Sequence, residues 1–171
     1  MIYHRLGLIN KGQKGFTLTD LILAIAITVI ITAVITLTVF QVIAGSARTK
    51  NHMTAVRQVQ SAGYWVSHDA QMAQDVTTDD DPGTPELVTL TWTEWESPKH
   101  SHEVVYSLVD NDLQRSDSVD GEAPTVAPVA EYIDANTSCA WDGFVLTFTV
   151  TATVGEQSET RTYEVMPRPE S

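Results

Sequence analysis

Cysteine occurs once, at Cys139. An intramolecular disulfide is therefore impossible, cysteine usage says nothing of the redox compartment, and the expected role is a buried, inert thiol. Basic residues are scarce after the first third of the chain. Beyond Arg57 only Lys99, Arg115, Arg161 and Arg168 oppose every acid except Asp20, and the formal net charge is −12. Nucleic-acid binding needs clustered Lys and Arg to neutralise phosphates, so no nucleic-acid partner is expected. Catalytic signatures are missing too: there is no Gly-x-Ser-x-Gly, no phosphate loop and no zinc spacing, so neither an enzyme nor a cofactor is expected. The acidic stretches Asp79-Asp80-Asp81, Asp110-Asn111-Asp112 and Asp117 to Glu122 lack the spacing of a calcium loop. They read as solvated loops, and no metal is expected. His100 and His102 are spaced to share one strand face, but beside a turn they read as exposed polar residues rather than ligands. Trp92, Trp95 and Trp141 admit a sugar-binding platform, yet core packing is the commoner use of tryptophan near strands.

What the chain does have is one long apolar run. From Leu21 to Ala47 there is neither a charged residue nor a proline. That stretch exceeds the roughly 20 residues that cross a bilayer as a helix, the one single-segment structure that satisfies its own backbone there. It is too long for the core of an ordinary secretory signal, about 7–15 residues. Arg5, Lys11 and Lys14 precede it with no acid among them, and Arg48, Lys50 and Arg57 follow it. By the positive-inside rule the N-terminus is expected in the cytoplasm and the acidic remainder outside, as a single-pass protein of the cytoplasmic membrane. The apolar run is then either a plain anchor or an anchor that later becomes the stem of a filament.

The junction Lys14-Gly15-Phe16-Thr17-Leu18-Thr19-Asp20 bears on that choice. A carboxylate at the mouth of a membrane-length helix is costly, about 2.5–3.5 kcal/mol at the bilayer centre and less near the helix start. Asp20 therefore calls for either a partner cation or the helix macrodipole. In this register the chain resembles the type IV prepilin and type II secretion pseudopilin family. That family has a short basic leader ending in glycine, then phenylalanine, an acid at the fifth mature position and a long apolar helix. The resemblance is carried by about the first 45 residues. It implies cleavage between Gly15 and Phe16 by a membrane-embedded prepilin peptidase, N-methylation of Phe16, and an assembly salt link from Asp20 to a Phe16 α-amine of the same or a neighbouring subunit. Two departures stand out. The family usually has glutamate where this chain has Asp20, and Thr17 and Thr19 make the helix entry more polar. The stem also lacks the proline of many major pilins. Thr28, Thr32 and Thr36 repeat every four residues, suited either to close helix approach or to bonding their own preceding carbonyls.

Beyond Gly45, Val56, Val59, Gly63, Val66, Ala70 and Ala73 recur at spacings of three and four. This pattern predicts that the helix continues, from about Thr17 to about Asp75, with that stripe on a sheet and with Arg57, Gln60, His68, Gln71 and Gln74 facing outward. Strands are predicted where apolar residues alternate. These are Val88 to Trp92, Val104 to Leu108, a short one at Leu113–Arg115, Phe144 to Val154 with Phe144 facing inward, and a return through Arg161, Tyr163 and Val165. A loop rich in Pro, Ala and Asp is expected from Ser118 to Pro128. The expected fold is α+β and pilin-like: a long N-terminal helix, half membrane and half soluble, packed on an antiparallel β-sheet. The expected segments are a cleaved leader 1–15, a membrane or filament stem 16–47, a soluble helical continuation 48–76 and a β-rich extracytoplasmic domain 77–171. The layout is most like the minor pseudopilin J and minor pilin W branches. The resemblance implies a structural subunit of a secretion pseudopilus or a pilus, at its tip, whose partners are the peptidase, other pilin-like subunits and, before assembly, membrane lipid. The alternative from another class is a single-pass anchored binding module or adhesin with no filament role.

Overall fold

The computed structural model describes residues 15–78, 85–94 and 97–168. Within them the fold is α+β, one long N-terminal helix packed on antiparallel β-sheet. The helix is α1, Leu18–Met72. The chain divides at Gly45 into two compact units.

The first unit contains the apolar part of α1, the one described helix long and apolar enough to cross a membrane. Its side chains are exposed throughout, including Leu23, Ile30, Leu37 and Phe40. Thr28, Thr32 and Thr36 each donate to the carbonyl four residues back, Ala24, Thr28 and Thr32, at 2.8 Å. Such a bond hides the hydroxyl against its own backbone, so these threonines present methyl groups outward.

The second unit, Ser46–Ser171, holds the core. The helical residues Ala55, Val59, Ala62, Gly63, Val66, Asp69 and Ala70 are buried. Strands β1 (Asp75–Thr78), β2 (Glu86–Thr93), β3 (Ser101–Val109), β4 (Asp112–Val119) and β5 (Thr125–Ala130) pair in chain order. A second sheet joins β6 (Ser138–Trp141), β7 (Leu146–Val154) and β8 (Gln157–Val165) in the same way. All pairings are antiparallel. Val88, Leu90 and Trp92 of β2, Val104 and Tyr106 of β3, and Leu146, Phe148, Val150 and Ala152 of β7 are buried together with the helix stripe. Each such aliphatic or aromatic side chain contributes roughly 1.5–3 kcal/mol by leaving water.

Two contacts fix how closely helix and strands approach. Gly63 receives the Tyr163 ring, and a Cβ there would stand 2.1 Å from Tyr163 Cζ. The Tyr163 hydroxyl donates to the Val59 carbonyl at 3.2 Å. On the opposite flank, Ser61 Oγ donates to the Val129 carbonyl at 2.7 Å, and the Glu131 N–H donates to Gln58 Oε1 at 3.0 Å.

Several expectations need correction. The helix ends at Met72, not near Asp75, because Asp75 and Val76 already pair with β2 as part of β1. β4 runs to Val119, well beyond Arg115. Residues 125–130 form β5 rather than loop; Pro128 is tolerated there because β5 is an edge strand. Phe144 does not face inward: it lies in the turn before β7, 82% exposed. The acidic run Asp79-Asp80-Asp81 and Trp95 lie outside the described residues.

Candidate functional site

The junction singled out by sequence sits directly before the helix. Residues 15–17 are non-helical and α1 begins at Leu18; residues 1–14, with Arg5, Lys11 and Lys14, lie outside the described residues. Gly15 has open space where a side chain would stand, and Phe16 is 93% exposed. Among the described residues neither packing nor helical hydrogen bonding hinders the Gly15–Phe16 peptide bond, and its hydrolysis would create a primary amine on Phe16.

Thr17 and Asp20 cap the helix reciprocally. The Asp20 N–H donates to Thr17 Oγ1 at 3.3 Å, and the Thr17 N–H donates to Asp20 Oδ2 at 3.2 Å. This is the capping-box arrangement with aspartate in the place of the usual glutamate. Thr17, which looked merely polar in sequence, is the residue that starts the helix. The carboxylate sits in the first turn, where the macrodipole favours negative charge.

In the second unit a buried polar network joins helix to sheet. Asp69, 3% exposed, accepts from the Tyr106 hydroxyl at 2.5 Å and from Arg115 Nε at 2.7 Å. Arg115 Nη1 donates to Asp117 Oδ2 at 2.9 Å, and the guanidinium lies 5.6 Å from the Trp65 ring centroid. β3 and β4 place these groups, since Tyr106 pairs with Arg115 and Val104 with Asp117. Burial, and then the neighbouring Asp69 charge, push the Tyr106 phenol far above its ordinary value. Burial works against the Arg115 cation, but Asp69 more than offsets it and the guanidinium is held above its usual value. Asp69, Tyr106 and Arg115 satisfy one another and fix position rather than offer a reactive group, while Asp117 Oδ1 is buried without a hydrogen bond among the described residues. Sequence reasoning missed Asp69. The available signal was its register: Ala55, Val59, Ala62, Val66, Asp69 and Ala73 form one stripe, with an acid in it.

His100 pairs with one carboxylate, and His102 stands between two, its Nδ1 3.9 Å from Asp117 Oδ1. His100 Nδ1 lies 2.6 Å from Asp120 Oδ2, and His102 Nε2 lies 3.0 Å from Glu94 Oε1. His102 also stacks on Trp92, centroids 5.0 Å apart. Trp92 is buried and Trp141 packs partly buried against the core. Among the described residues no group of three or more His, Cys, Asp or Glu is placed to hold a metal. Cys139 is partly buried beside the core, and burial pushes its thiol up to about 12.

No protein-family model, curated protein or solved structure matches this chain.

Proposed function

We propose that the chain is the precursor of a filament subunit, a minor pilin or pseudopilin. In this reading a prepilin peptidase cuts it at Gly15–Phe16 and methylates Phe16. The subunit waits in the cytoplasmic membrane with its N-terminus inside and then joins other pilin-like subunits in a secretion pseudopilus or pilus, at the tip. Its work is structural, not catalytic. One observation carries the reading. The only acid in the apolar stretch of α1 up to Ala47 lies in the first turn, five residues after a glycine with open space around it. The α+β fold with a long apolar N-terminal helix supports it.

Processing would change the chemistry of Asp20. The new amine, with a reference pKa of about 7.7–8.0, is cationic at neutral pH and stays so after methylation. It arises one residue before the Thr17 N–H from which Asp20 already accepts. In a packed bundle of stems Asp20 loses access to water, and a carboxylate without a cation there costs several kcal/mol. The pairing holds the same or the neighbouring stem at that height.

Co-expression with a prepilin peptidase tests the reading. The expected product is shortened by its leader and carries N-methyl-phenylalanine at Phe16, seen by intact-mass and N-terminal fragment spectra. Gly15→Ala should block the shortening. A full-length product in the presence of active peptidase, with Gly15→Ala indistinguishable from wild type, would sink the filament reading and favour a plain anchored binding module.

A further inference from the structure

β8 is an edge strand nine residues long. Gly155, at φ 60°, and Glu156 form the two-residue turn that joins it to β7, and Val154 pairs with Gln157 across that turn. A two-residue turn closes on a hydrogen-bonded pair, so Gln157, Glu159, Arg161 and Tyr163 bond toward β7. The alternate residues Ser158, Thr160, Thr162 and Glu164 then direct N–H and C=O away from the sheet. Among the described residues those backbone groups have no backbone partner. Such an unblocked edge is a template for another extended chain.

Beside the edge lies a cleft of about 400 Å³, lined by Gln60, Tyr64, His68 and Gln71 of α1 and by Arg161 and Tyr163 of β8. Within a strongly acidic head, no carboxylate among the described residues lines it. Arg161 gives its Nε to Glu159 at 3.2 Å, and its two Nη groups make no hydrogen bond among the described residues. Tyr64 is 64% exposed and stacks parallel to His68. A strand laid on the β8 edge, about 4.8 Å away, would pass over this cleft and send every second side chain into it.

The geometry points to a binding site for an extended acidic segment of another polypeptide, added to β8 as an extra strand, with one carboxylate on the Arg161 Nη groups. The open backbone supplies affinity that does not depend on sequence. The carboxylate on Arg161, supported by the His68 and glutamine side chains, supplies the selectivity. The site does not depend on processing at Gly15 or on a filament, and its failure would leave that reading untouched.

The test is titration of the full chain in detergent micelles with the acetylated, amidated peptide Val-Thr-Glu-Thr-Val, followed by amide and aromatic NMR. Shifts are expected at Ser158, Thr160, Thr162 and Glu164 and at the rings of Tyr64 and His68. The peptide with glutamine for glutamate should bind about tenfold more weakly, the scale of one charge-assisted hydrogen bond. Arg161→Gln should erase that preference. N-methylation of the two peptide threonine amides, which face the edge, should abolish binding, whereas methylation of the glutamate amide should be tolerated. The proposal fails if both peptides bind alike or not at all, if both methylations act equally, or if the shifts map elsewhere. Self-association of the protein that shields β8 from the peptide would also overturn it.

Discussion

Asp69 is the side chain on which the polar chemistry of the second unit converges, and its partners make it testable. Arg115→Met removes the cation and leaves a buried carboxylate facing Tyr106 alone. A loss of about 3–5 kcal/mol in urea unfolding is expected. Adding Asp69→Asn should restore part of it, because a neutral amide still accepts from the Tyr106 hydroxyl. A double mutant no more stable than Arg115→Met would show that packing, not charge, dominates. At the surface, the His100–Asp120 pair makes a pH prediction. Its hydrogen bond raises the His100 pKa and lowers that of Asp120. The aspartate contribution is present above the ordinary carboxylate range and lost as pH falls through its lowered value. The histidine contribution is present below about pH 6.5 and lost as pH rises through its raised value. The pair is therefore complete between roughly pH 4 and 6.5. The His100 ring protons should titrate with a midpoint above 6.5 in NMR, and Asp120→Asn should lower that midpoint.

At the scale of elements, the contact of Tyr163 with Gly63 decides how α1 meets β8. Gly63→Ala adds a Cβ inside the ring position, so Tyr163 must move. The expected net loss is about 1–3 kcal/mol, although alanine is the better helix former. In the Tyr163→Leu background the same change should cost much less, and a double-mutant cycle measures that coupling. How legible the elements were in sequence follows from burial. β2, β3 and β7 showed clean alternation because one face of each meets the helix. β4 did not, because its inward residues after Leu113 are Arg115 and Asp117, which serve the buried network and look like surface residues. β5 has little burial to impose a pattern, and it contains Pro128. β6 is four residues long. Phe144 was misplaced because periodicity cannot see where a strand begins. Asp142 accepts from the Phe144 and Val145 N–H groups and turns the chain just before β7.

For the whole molecule, the two units call for different experiments. In the first, Asp20 combines a cap and a charge, and substitutions separate them. Asp20→Asn keeps an acceptor for the Thr17 N–H and loses the charge; Asp20→Glu keeps both. If the charge serves assembly, Asp20→Asn should be cleaved normally yet enter filaments as poorly as Asp20→Ala, with Asp20→Glu at least equal to wild type, as immunoblots of sheared filaments would report. Normal incorporation of Asp20→Asn would leave only the cap. That Gly15, Phe16 and Asp20 stand at the start of the helix was legible in sequence because the apolar run follows directly. The cap was not, since it needed the hydroxyl of Thr17 to be seen as a helix start. In the second unit, Cys139 reports global unfolding. With its thiol pushed up to about 12, iodoacetamide at pH 8 should leave the native protein unlabelled and modify it fully in urea; rapid native labelling would mean that the β6 edge opens locally. The ties between α1 and the strands have a mechanical consequence as well. Gln58, Val59, Ser61 and Asp69 attach to residues in or just beside both sheets at successive heights along the helix. A pull on Ser46 along the helix axis would strain all of them together and sideways, as in a lap joint, whereas a pull on β8 from its C-terminal end would open the β7–β8 ladder one rung at a time. The second unit should therefore yield at a higher force when drawn by its helix than when drawn by its last strand.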